Sequence, residues 1–150
     1  MDTQQMAHEL LLELRLFIKN FRGARVTSSL GLTYNEASIL STIRDNPALS
    51  SNDLAAALQS DKSTISRQVS ILEGKGLVEK RKREDNRRIN EIVLTEQGRS
   101  LLAHSDELWG QRVARRLRGW EPQEIEDFLR LLRQYNHVPV EETDDRLPSG

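Results

Sequence analysis

The chain has 150 residues, of which 37% are hydrophobic, 5% aromatic and 30% charged, with a net charge of −1. That length supports one domain, or one small domain with extensions, and the composition suits a helix-rich protein with a large exposed surface. It contains no cysteine, which excludes disulfides, thiolate zinc sites and cysteine-based redox sensing.

No apolar run is long enough to span a bilayer. The leucine-rich stretch Leu10–Ile18 is interrupted by Glu13 and Arg15, and no small-residue cleavage site follows it. No signal peptide is therefore expected, and a cytoplasmic location is. Residues 5–28 read as a long helix, with Leu10, Leu11, Leu14, Phe17, Ile18 and Phe21 recurring at three- and four-residue steps. Leu12 and Leu16 widen that stripe beyond the need of one small core. Packing against a second copy is favoured over burial in a larger bundle, because the chain is too short to cover so much apolar surface.

Thr33-Tyr34-Asn35-Glu36 is a capping box, and a helix is predicted from Tyr34 to Asp45, burying Ala37, Leu40 and Ile43. Asn46-Pro47 stops it. Ala48-Leu49 is a short extended piece. Ser50-Ser51-Asn52-Asp53 repeats the capping pattern and opens a short helix through Leu54, Ala55 and Leu58; Ser50 and Ser51 are candidate phosphate contacts.

Asp61 caps the next helix. Ile65, Val69 and Leu72 fall on one face of it, and Ser63, Arg67 and Ser70 on the opposite one, flanked by Thr64 and Ser66. Two short helices joined by a tight turn, the second polar outside, make a helix-turn-helix. An arginine among small hydroxyl residues can reach base edges, pairing with guanine O6 and N7. Alone, this helix slightly favours a solvated surface element, and what precedes and follows it decides the matter.

Gly74-Lys75-Gly76 ends it through a residue tolerant of positive φ. Leu77 to Arg83 and Arg88 to Leu94 read as the strands of a hairpin, with Glu84-Asp85-Asn86-Arg87 as its turn. Placed there, the hairpin is a wing, and Arg83, Arg87 and Arg88 are its candidate DNA contacts. Lysine and arginine on an edge strand also protect it from aggregation, and both roles are read into Lys80–Arg83. Between residues 61 and 90, nine Lys/Arg stand against five Asp/Glu, a net +4 that leaves −5 for the remainder. A basic module in an acidic remainder is the electrostatic footprint of a polyanion binder.

Thr95 caps a helix from Glu96 to about Arg118, and Pro122 opens the last one, with Ile125, Phe128, Leu129, Leu132 and Tyr135 as its buried stripe. Arg112, Arg115, Arg116 and Arg118 are expected to bridge to Glu121, Glu124, Glu126 and Asp127 rather than to bind DNA. The acidic tail, residues 137–150, is expected to be mobile or loosely docked. His8, His104 and His137 lack metal-ligand spacing, and no GxSxG, P-loop or GxGxxG motif is present. No enzymatic activity, cofactor or metal is expected.

In this order, the strings LTYNEASIL, SSNDLAAAL, SDKSTISRQVSILEGKGLVEKR and LTEQGRSLL resemble the MarR family of bacterial transcriptional regulators, over about Gln5 to Asn136. The resemblance implies a mostly α fold with a small β-hairpin wing. The winged helix-turn-helix domain would span residues 33–94, its wing about 77–94. Residues 5–30 and 95–136 would form the helical dimerisation region. It implies a homodimer on a pseudo-palindromic operator in double-stranded DNA, repressing its own and adjacent genes. Lys62, Ser63, Thr64, Ser66 and Arg67 would line the major groove. Release by a small aromatic or anionic effector is implied, with Phe17, Phe21, Trp109 and Arg112 beside its pocket. The alternatives are a winged-helix regulator without ligand response and a winged helix used for protein contacts.

Two departures matter. The family's wing aspartate falls on Asn86, with Asp85 one place earlier, so the residues leave open which of Arg87 and Arg88 enters the minor groove. Ser70-Ile71 replaces a charged pair, and Ile71 is left between the wing and a thymine methyl.

Overall fold

The computed structural model describes residues 2–22 and 29–138. The chain divides into two compact units, Met1–Gly110 and Gln111–Gly150.

The first unit opens with α1 (Thr3–Arg22), which buries none of its residues. The part of the expected first helix at residues 23–28 lies outside the described residues. Helix α2 (Tyr34–Asp45) carries the expected capping box: the Thr33 hydroxyl accepts from Glu36 N and Glu36 accepts from Thr33 N. Its buried face is Glu36, Ile39, Leu40 and Ile43, with Ala37 only half-buried. Ile39 thus takes the core position expected of Ala37, since it carries more apolar area to remove from water. Helix α3 (Ser51–Ala57) repeats the box with Ser50 and Asp53. The turn out of α3 passes through Gln59 at φ 49° before Asp61 caps α4 (Lys62–Gly74).

Helix α4 buries Ile65, Val69 and Leu72, the three positions its periodicity assigns inward. Gly76, at φ 73°, then turns the chain into the hairpin β1 (Val78–Lys82) and β2 (Asn90–Leu94), paired antiparallel from Val78↔Leu94 to Lys82↔Asn90. Each strand is shorter than the sequence predicted, because residues 83–89 form a tip turn. Ile92 N donates to Leu49 O at 2.8 Å, which ties Leu49 to β2; the extended piece expected at Ala48-Leu49 instead begins in a turn, with Ala48 at φ 63°.

Residues of α2, α3, α4, both strands and α5 (Glu96–Arg116) share one buried core that runs from Leu32 to Leu102. Two contacts lock α5 under the hairpin. Thr95 Oγ1 donates to Gly76 O at 2.6 Å and accepts from Gly98 N at 3.0 Å. A Cβ on Gly98 would stand 2.0 Å from Leu77 O, so only glycine permits this approach. Inside the same core, Glu36 is buried and meets Lys75 Nζ at 2.9 Å through both oxygens. The same ammonium donates to Gly31 O at 3.0 Å. This clamp joins the start of α2 to the C-cap of α4.

In the second unit, α5 ends at Arg116, two residues earlier than expected, and α6 (Pro122–His137) starts with proline at its first turn. Trp120 packs edge-on to Phe128 at 5.7 Å. The stripe expected to be buried in α6 is not: Phe128, Leu129 and Tyr135 are exposed, and the helix buries no residue. The apolar spacing is helical as read, but the stripe lies uncovered in the single chain. Among the described residues, no helix is long and apolar enough to cross a membrane.

Candidate nucleic-acid interface

The interface is built on the first two turns of α4. Asp61 Oδ1 accepts from Thr64 N at 2.8 Å, which is the helix cap. The same carboxylate takes the Ser63 hydroxyl at 2.6 Å and the Thr64 hydroxyl at 2.6 Å. Those hydroxyl bonds, led by Ser63, with the Thr64 amide, hold the Asp61 carboxyl well below the usual carboxylate range. At neutral pH the group is therefore an anion, which can only accept, so both hydroxyls spend their protons on it. Ser70 does the same one turn on, donating to Ser66 O at 2.9 Å. Lys62, Ser66 and Arg67 stand exposed on this helix, and Arg67 has no hydrogen-bond or ion-pair partner among the described residues.

The wing sorts its basic residues into two groups. Both arginines of Lys80–Arg83 are neutralised locally. Arg81 pairs with Glu79. Arg83 forms a fork with Asp85, Nε to Oδ1 at 3.0 Å and Nη2 to Oδ2 at 2.8 Å. This pairing pulls the Asp85 carboxyl below its ordinary value and pushes the Arg83 guanidinium above its own. Asn86 turns the tip, its Oδ1 accepting Arg88 N at 3.1 Å and its carbonyl accepting Ile89 N at 3.0 Å. The ion pair of the tip therefore lies at Asp85 and the turn-forming role at Asn86. Arg87 and Arg88 project from this turn, exposed and without an ion pair among the described residues. Lys80 and Lys82 are likewise exposed and unpaired among those residues. The sequence reads a DNA-facing role into Lys80–Arg83 as a run and names Arg83 from it; the positions of Glu79 and Asp85, each two residues from an arginine, indicate which cations stay free.

Ser50 is committed to its capping box, donating to Asp53 Oδ2 at 2.8 Å and accepting from Asp53 N at 3.1 Å. Ser51 follows as the first residue of α3, half-buried.

Away from this surface, Phe17 and Phe21 pack at 4.6 Å, and Phe21 stacks on Trp109 at 4.5 Å with rings 3° from parallel. Three of the four candidate pocket residues thus form one aromatic row between α1 and α5. Arg112 belongs to the second unit. The expected bridges from Arg115, Arg116 and Arg118 to the acids of α6 are not formed among the described residues. Asp127 instead pairs with Arg130 at 3.2 Å, one turn along its own helix, and Glu124 closes the α6 cap on Glu121 N at 2.8 Å. Arg115 and Arg116 fall in the last turn of α5, where cations complement the helix dipole.

Comparison with known proteins shows what the chain is similar to. Residues 32–89 match the model of the MarR family, a shorter span than the motifs covered. A protein of Bacillus subtilis (strain 168), described as the uncharacterized HTH-type transcriptional regulator YdgJ, is 26% identical over 83 residues. That match spans 55% of this chain and 51% of that protein, about half the length of the curated relative. Among solved structures, a MarR family protein from Bacillus stearothermophilus has a TM-score of 0.82 at 23% identity, over 91% of this chain and 96% of that one. A point mutant of S. aureus MepR bound to an oligodeoxyribonucleotide has a TM-score of 0.62 at 20% identity, over 86% and 95% of the two chains. The fold is that of the MarR winged-helix proteins.

Proposed function

We propose that this chain, with its MarR family domain at residues 32–89, is a homodimeric, sequence-specific DNA-binding transcriptional regulator. It is a binding protein rather than an enzyme and acts in the cytoplasm, where it represses its own and adjacent genes. Helix α4 enters the major groove, and Arg87 and Arg88 at the wing tip meet phosphates or the adjacent minor groove. Ser51 at the start of α3 faces the backbone. Ser50 contributes there only through its cap.

The observation that carries this reading is Arg67. It stands exposed on the face of α4 opposite the buried Ile65, Val69 and Leu72, without a protein partner among the described residues. A guanidinium left unpaired among short side chains is suited to guanine O6 and N7. The dimer is supported by α1 and α6, which bury nothing although they carry Leu10, Leu12, Ile18, Phe128 and Leu131 at 46–53% exposure. A second copy covers those faces, and the two α4 helices then reach two half-sites of one pseudo-palindrome.

The test is selection of bound fragments from the source genome, followed by titration. Arg67→Ala costs about 1–3 kcal/mol on the selected site and relaxes base preference at one position per half-site. Equal losses on specific and random DNA would remove its base-reading role. An aromatic or anionic effector that releases the operator acts through the Phe17–Phe21–Trp109 row, and its binding quenches or shifts Trp109 fluorescence.

A further inference from the structure

On the outward face of α4 and its flanks, three of the four hydroxyl groups spend their protons within the protein. Ser63 and Thr64 donate to Asp61, and Ser70 donates to Ser66 O. Beside the exposed Ser66 hydroxyl, that face offers a guanidinium without a partner among the described residues, Arg67, and one exposed apolar side chain, Ile71. Ile71 lies four residues after Arg67, which places it one helical turn along the same face. It is 42% exposed and stands outside the buried core that takes Ile65, Val69 and Leu72. Its neighbours on the face, Ser70 and Arg67, are polar, and a large part of its apolar surface meets water.

A β-branched aliphatic side chain at this place has one chemical counterpart in a major groove. The 5-methyl group of thymine is the only apolar feature that a base edge presents there. We propose that Ile71 is a specificity-determining residue that reads a thymine methyl group in each half-site. This rests on the DNA-binding reading above. Four residues of helix rise about 6 Å, and base pairs repeat about every 3.4 Å. The thymine therefore lies about one or two base pairs from the guanine taken by Arg67. The pair reads by two different physical routes: a bidentate hydrogen bond at one step and removal of two apolar surfaces from water at the next.

The test uses the full-length protein on its selected operator. Each thymine is replaced in turn by deoxyuridine, which deletes the methyl group and leaves base pairing unchanged. For the unaltered protein, one position per half-site weakens binding about fourfold, the value of one buried methyl-sized group. Ile71→Ala loses a similar factor on the thymine operator and becomes indifferent to deoxyuridine at that position. Ile71→Val keeps most of the discrimination, and circular dichroism with sedimentation confirms that both variants fold and associate normally. If Ile71→Ala stays as sensitive to deoxyuridine as the unaltered protein at every position, the inference is overturned. Weakened self-association in Ile71→Ala, with base preference unchanged, also overturns it and assigns Ile71 to a protein contact. Failure of the broader reading looks different, because the unaltered protein then selects no sequence at all.

Discussion

Two parts of this molecule solve the burial problem in opposite ways. The segment from Leu32 to Leu102 closes its own core, with Leu40, Leu54, Val69 and Leu72 at 0% exposure. Helices α1 and α6 are as rich in leucine and bury no residue at all. The difference teaches that apolar periodicity specifies a helix face but not what covers it. In the winged helix, six elements within about seventy residues surround a common centre. In α1 and α6 each apolar stripe stays open in the single chain, and the proposed second copy is what would cover it.

The largest expected effect breaks that contrast from the open side. Leu129→Glu places a charge in the stripe of α6, where a dimer would bury it. It raises the dimer dissociation constant by about 100-fold or more, measured by sedimentation equilibrium. The 32–102 core does not use Leu129, so far-ultraviolet circular dichroism stays close to that of the unaltered chain. Unchanged association after this substitution would leave the stripe of α6 without the proposed partner.

The next effect breaks the closed side. Gly98→Ala drives a methyl group against Leu77 O, and a backbone atom cannot rotate away. It costs about 3 kcal/mol of stability, read from chemical denaturation. Lys75→Met leaves Glu36 in the core without its cation. Lys75 is itself 39% exposed at the side chain, so the loss is discounted from the full value of a buried pair, to about 2 kcal/mol.

A smaller effect concerns charge at the wing. Asp85→Asn releases Arg83 from its fork and removes an anion from the tip. Affinity for DNA rises and the salt dependence steepens, as in any gain of a phosphate-facing cation. A loss of affinity would show that the fork is needed to shape the tip. The mildest effect is on pH. Asp45, Asp53, Asp61 and Asp85 all have carboxyls held below their ordinary values, chiefly by hydrogen bonds from Arg44, Ser50, Ser63 and Arg83 respectively. A depressed folded-state pKa stabilises above the unfolded value, near about 4, and that stability disappears as pH falls through the folded one. The thermal midpoint is thus level from neutral pH to about pH 5 and declines below about pH 4.

Much of the winged helix was legible in the residues because its signals are local. Thr33 with Glu36 and Ser50 with Asp53 mark helix starts at three-residue spacing, and both boxes form. Ile65, Val69 and Leu72 declare the inner face of α4, and Gly76 its end. The glycine of LTEQG was readable as a landmark, but its reason was not: the collision it avoids is with Leu77 O, twenty-one residues away. The wing was legible as a basic hairpin, yet which cations stay free was decided by ion pairs at i, i+2, Arg81 with Glu79 and Arg83 with Asp85.

The sequence by itself determined the order of elements, the helix caps, the inward face of each core helix and the exposed arginine of α4. These depend on short-range geometry, where three or four residues settle the outcome. Tertiary structure alone decided the clamp of Lys75 on Glu36 and Gly31, the tie of Leu49 to Ile92, and the stacking of Phe21 on Trp109. It also decided that the hydroxyls of Ser63, Thr64 and Ser70 donate to Asp61 and to Ser66 O, while Arg67 and Ile71 stand exposed. Such contacts join residues far apart in the chain or choose among equivalent rotamers, and periodicity carries no information about either.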